Sequence, residues 1–108
     1  MKKLILLTFG LILTFNVFAD AAKGQRYYLK YMRPHFAMNG NEFAGQHLKI
    51  EWKQLFKKDA KKFIKTYSKK YPESAEFLNG KIFKKIAPDV GDFVQKYAAD
   101  SGELASCS

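Results

Sequence analysis

The stretch from Lys49 to Tyr71 leaves the chain little choice of fold. Trp52, Leu55, Phe56, Phe63, Ile64, Tyr67 and Tyr71 recur there at spacings of three, four and seven, and lysine fills most positions between them. Such spacing places apolar side chains on one stripe of a helix with about 3.6 residues per turn. The stripe has to face a core, so the lysines have to cover the outer surface. Pro72 terminates the helix, because proline cannot donate the next backbone hydrogen bond. Whether the helix runs unbroken past Asp59 is left open by the pattern.

No segment shows sustained period-two alternation or a hairpin turn between β-branched runs, so the fold class is all-α, with about four helices. A first helix is predicted over Asp20 to Met32, with Tyr28, Leu29 and Met32 on one side and Pro34 as its stop. A loop follows from Arg33 to Asn41, turning at Asn39-Gly40. Phe43, Ala44 and His47 then fit one short helical turn. Glu73 to Leu78 fits a short helix closed by Asn79-Gly80. A last helix opens at Pro88, with Asp89 and Asp92 at its positive end and Val90, Phe93, Val94 and Tyr97 on its buried face. Residues 100–108 are polar and contain glycine, the composition of a loose tail.

Residues 1–19 read as a cleavable export signal: Lys2 and Lys3, an apolar run from Leu4 to Leu13, and Val17-Phe18-Ala19 ahead of Asp20. The alternative is a retained anchor, but the run is broken by Thr14 and Asn16 and falls short of the roughly 20 residues of a bilayer span. Removal of 19 of the 108 residues leaves 89, which is one domain (20–99) and a tail, placed in the periplasm or secreted. The only cysteine is Cys107, so no internal disulfide can brace so small a domain. Seven Phe, six Tyr and the single Trp after residue 19 must supply the core instead.

The whole chain carries 19 Lys and Arg against 10 Asp and Glu. Nine of those cations, Lys49, Lys53, Lys57, Lys58, Lys61, Lys62, Lys65, Lys69 and Lys70, lie within the 49–71 segment, opposed only by Glu51 and Asp59. A lysine face can simply keep a small domain soluble. It can equally be an electrostatic docking surface, with Lys53, Lys57, Lys58, Lys61, Lys62, Lys65 and Lys69 as the contact residues for an acidic protein or another anionic envelope component. Lysine acts as a point charge rather than as a planar fork, which argues against sequence-specific nucleic-acid recognition.

Catalysis has little support. There is no nucleophile elbow, no His-Glu-x-x-His and no Cys-x-x-Cys, and the carboxylates fall where helix starts need acids. His35 and His47 flank a loop that holds Met38, and imidazole with thioether suits a soft metal or a haem iron. The plain alternative for each is a surface histidine and a packing methionine. Cys107 is either an exposed thiol or one able to form a mixed disulfide with another chain.

Residues 22–36, AKGQRYYLKYMRPHF, resemble the first helix of a class I cytochrome c, with Gly24 and Tyr28 in the places of that family's glycine and aromatic residue. Tyr31-Met32-Arg33-Pro34-His35 keeps the histidine of the haem-attachment sequence and lacks both its cysteines. Over most of the chain, Met38-Asn39-Gly40, Phe43-Ala44, His47, Glu51-Trp52, Leu55-Phe56, Tyr97-Ala98, Asp100-Ser101-Gly102 and Cys107 are similar to a group of small exported bacterial cytochrome-c-like proteins. The resemblance implies a cytochrome-c-like helical arrangement and electron transfer with a redox partner. Any haem would be non-covalent, held by His35, with His47 replacing the missing distal methionine.

Overall fold

A computed structural model describes residues 20–106, and these are mostly helical, with no strand among them. Residues 1–19, with the expected signal segment, and Cys107 lie outside the described residues. No helix among the described residues is long and apolar enough to cross a membrane.

Asp20 starts the first helix, α1 (Ala21–Tyr27), by accepting hydrogen bonds from the Ala22 and Lys23 amides on its carboxylate. Pro34 does not end it, contrary to the sequence expectation. The helix widens into a π-helical turn over Tyr28–Met32, where the Arg33 amide bonds back to the Tyr28 carbonyl, and then continues as α2 (Arg33–Phe36). A proline ring clashes with the carbonyl four residues back, and a wider turn just before it gives that carbonyl room. Arg33 therefore stays in right-handed helical geometry, and the stop comes at Ala37, with φ 55° and ψ 36°.

The expected loop is also partly helical. Asn39 and Glu42 form a capping box, Glu42 N–H to Asn39 Oδ1 at 2.8 Å and Asn39 N–H to Glu42 Oε1 at 3.2 Å, and open α3 (Gly40–Ala44). His47 lies beyond that helix.

The helix expected over 49–71 is two helices, α4 (Lys49–Leu55) and α5 (Lys57–Lys70). At the start of α5, Lys58, Asp59 and Ala60 take φ values of 51°, 59° and 59°, a left-handed turn made without glycine. Left-handed geometry brings Cβ against the following carbonyl and costs roughly 1–2 kcal/mol per residue. The burial that offsets it is visible: Ala60 is enclosed, and the bend lets Trp52 from α4 and Phe63 and Tyr67 from α5 enter the same core. After a short turn at Pro72–Ser74 and α6 (Ala75–Leu78), the last helix, α7, runs from Lys81 to Lys96. It starts seven residues before Pro88, which sits in its interior. Burial of Phe83, Ile86 and Ala87 upstream holds the helix through the proline.

The core is aromatic, as composition required. Tyr28, Phe43, Trp52, Phe63, Tyr67, Phe83 and Phe93 are all buried, with ring centroids at 4.3 Å for Phe63–Tyr67 and 4.7 Å for Tyr28–Phe43. Trp52 satisfies its indole N–H on the Ala44 carbonyl at 2.7 Å. Gly24 lets α1 lie directly on α7: a Cβ there would lie 2.0 Å from the Asp89 carbonyl oxygen.

The segment expected to be loose carries specific contacts up to residue 106. Asn41 donates to the Ala105 carbonyl at 3.0 Å and accepts from the Ala105 amide at 2.8 Å, and Gln25 donates to the Ser106 carbonyl at 2.7 Å. Earlier in the same segment, Asp100 caps α4 through the Lys49 amide.

Candidate functional site

Where the chain bends at Phe56–Ala60, the lysine face carries a groove. Gln54 from α4 and Lys57, Lys58, Lys61, Lys62 and Lys65 from α5 line it, around a volume of about 460 Å³. All six residues are exposed, and no carboxylate lines the groove. Among the described residues the only basic–acidic side-chain contact within 4.0 Å is His47 with Glu51, so no groove lysine is paired with a carboxylate at that distance. Of the seven lysines expected to contact a partner, the structure gathers five. Lys53 and Lys69 are exposed but do not line the groove. Gln54 was not singled out in the sequence, although it lies three and four residues before Lys57 and Lys58, the spacing of neighbours on a helix surface.

His47 and Met38 meet in a different place, through a chain of side chains. The buried Tyr67 hydroxyl lies 2.6 Å from Gln46 Oε1 and 3.1 Å from His47 Nε2. An amide oxygen only accepts, so Tyr67 donates to Gln46, and His47 donates its Nε2–H to Tyr67. Gln46 in turn donates to Met38 Sδ at 3.5 Å. His47 Nδ1 faces Glu51 Oε1 at 3.7 Å, and the same oxygen accepts from the Leu48 amide at 2.8 Å. Trp52 holds the imidazole edge to face at 4.7 Å. Burial pushes the Tyr67 phenol above the ordinary tyrosine range. The Tyr28 phenol, which donates to the Met38 carbonyl at 2.6 Å, is raised by the same cause.

His35 is not part of that chain. Its ring stacks on Phe77 at 5.1 Å, and it lines a separate cleft with Glu73, Glu76 and Lys81. The three candidate ligands therefore do not converge. An axial ligand needs its lone pair aimed at one metal atom, whereas the Nε2 of His47 is turned to Tyr67 and the sulfur of Met38 to Gln46. As arranged, these residues do not fit a haem. No group of three or more His, Cys, Asp or Glu among the described residues is placed to hold a metal ion.

Four carboxylates serve structure: Asp20, Glu42, Glu51 and Asp100 all accept from backbone amides at helix starts. Asp92 stands apart, since burial first, and then Asp89 and Asp20, raise its carboxyl above the usual range. No protein-family model matches the chain, and neither a curated protein nor a solved structure matches it at a significant level.

Proposed function

We propose that this chain is an exported, non-catalytic binding module, periplasmic or secreted, that docks an acidic envelope protein in its lysine groove. The observation that carries this reading is the groove: five lysine ammoniums and one amide around a single depression, with no acid among them. A soluble surface interleaves its charges. Here the cations are gathered and unopposed, which raises the local potential and speeds encounter with an anion. Lysine point charges accept an extended run of carboxylates without demanding one geometry.

The test uses poly-glutamate as the probe and neutral poly-glutamine as its control. Calorimetry is expected to show binding of the first only. Reversing Lys57, Lys58, Lys61 and Lys62 to glutamate is expected to abolish it while the helical circular dichroism stays unchanged. Binding that survives this reversal would remove the groove from the account.

Cytochrome-like electron transfer, with non-covalent haem on His35, Met38 and His47, is the competing reading. Its one structural support is that Met38 and His47 share a hydrogen-bonded chain, but it needs both to leave their present partners. An intense haem absorption band on titration, lost in His47→Ala, would favour it over docking.

A further inference from the structure

The Asp20 amide donates to Asp89 Oδ1 on α7 at 2.8 Å, a contact between residues 69 apart. Asp20 is also the residue that the export signal would leave at the new N-terminus. We propose that release of residues 1–19 turns the Asp20 nitrogen into an ammonium that pairs with the Asp89 carboxylate, so that processing itself locks α1 onto α7. This inference rests on the export reading and adds a structural consequence to it.

The chemistry is hydrolysis by a signal peptidase with water as co-reactant. The hydroxyl of water joins the Ala19 carbonyl carbon, the carbon–nitrogen bond breaks, and the nitrogen keeps its own hydrogen and takes the second from water. The new acid then loses a proton and the amine gains one. The N–H···O⁻ contact, already assisted by the carboxylate charge, becomes an ion pair between full opposite charges.

Contacts among the described residues hold Asp20 in place. Its side chain caps α1 through the Ala22 and Lys23 amides at 2.9 and 3.3 Å, and Gly24 brings the α1 backbone directly onto Asp89. The amine also meets the positive end of α1, which opposes a cation there. That helix end carries about half a charge spread over a turn, whereas Asp89 places a whole negative charge within hydrogen-bond distance. Asp92, which senses both Asp89 and Asp20, adds a third carboxylate. Lys23 lies one turn away on α1. Lys49, Lys96, Asp100 and Glu103 share a surface depression with Ala21 and Asp92, and their charges balance.

The experiment compares the protein purified from the periplasm, a recombinant chain beginning at Asp20, and a form with Gly-Ser inserted between Ala19 and Asp20, each with and without Asp89→Asn. The intact mass of the exported protein is expected to correspond to residues 20–108. NMR titration is expected to show the Asp20 amine holding its proton to higher pH than an ordinary α-amine, and Asp89→Asn is expected to restore ordinary behaviour. The free-amine form melts higher than the extended form near neutral pH. The difference fades as pH rises through the raised pKa of the amine, because a cation stabilised by folding loses its contribution there. Equal melting of the free and extended forms, or a difference untouched by Asp89→Asn, overturns the ion pair whatever the exported mass. A mass that begins elsewhere overturns the processing site, while the recombinant pair still decides the contact.

Discussion

Gly24→Ala tests the tightest joint in the fold. In a free helix this change gains roughly 1 kcal/mol, since alanine is the better helix former. Here the added Cβ would sit 2.0 Å from the Asp89 carbonyl oxygen, 2.6 Å from the Asp89 carbonyl carbon and 2.8 Å from Phe93 Cβ. Ordinary contact begins at 3.4 Å, so α7 would have to withdraw by about 1.4 Å along the line to that oxygen. The first two obstacles are backbone, which cannot swing aside as a side chain can. Withdrawal would loosen Phe93 and Val94, both fully buried. Overpacking of this kind typically costs about 1–3 kcal/mol, and more when backbone must move. Because backbone has to move, the cost falls at or above the top of that range, about 3–4 kcal/mol, and the propensity gain of roughly 1 kcal/mol leaves a net loss of about 2–3 kcal/mol, or roughly 8–24 °C in melting temperature for a domain of this size. Thermal and urea melts followed by circular dichroism would read it, with a lower midpoint and an unchanged slope. A melting temperature equal to or above that of the parent protein would refute the close α1–α7 approach.

Asp59→Gly distinguishes the left-handed turn from a continuous helix. At φ 59° glycine relieves strain and is expected to stabilise the fold by about 0.5–1 kcal/mol, whereas within a regular helix it would destabilise it. Stability should fall in alkali, because burial raises the Tyr28 and Tyr67 phenols: the unfolded chain ionises above the ordinary value of about 10 while the folded chain does not. Tyr28→Phe and Tyr67→Phe should each flatten that fall in a pH series of urea melts, and an unchanged slope in both would argue against buried phenols. At neutral pH, Tyr67→Phe should cost about 1–2 kcal/mol, since Gln46 and His47 lose their shared partner. Asn41→Ala should remove hydrogen-exchange protection from the Ala105 amide, which donates to that side chain; retained protection would mean that the terminal segment is held by something else.

The helical class and the aromatic core were legible because each rests on a local, periodic signal. Trp52, Phe63 and Tyr67 announce a buried stripe by spacing alone, and the lysines between them announce the outer face. The break at Lys58–Ala60 was not legible, because no glycine or proline marks it and only tertiary burial stabilises it. Pro34 and Pro88 misled for the opposite reason. The local rule ends a helix at a proline or starts one there, but the π-helical turn before Pro34 and the buried Phe83 and Ile86 before Pro88 override it. The chain from His47 through Tyr67 and Gln46 to Met38, and the clasp of Asn41 on Ala105, join residues far apart in sequence and leave no periodic trace. His35 and His47 looked like neighbours because they flank one loop, yet α2 stacks the first on Phe77 while the second turns to Tyr67.

The central claim is that the unopposed lysine groove is where a partner docks. Two-dimensional amide NMR spectra of a chain of residues 20–108, recorded while poly-glutamate is added at about 50 mM and then at about 500 mM salt, test it most directly. The account predicts shifts concentrated on Gln54, Lys57, Lys58, Lys61, Lys62 and Lys65 at low salt and largely lost at high salt. Shifts that persist at high salt, or that gather around His35 and Phe77 instead, would contradict it.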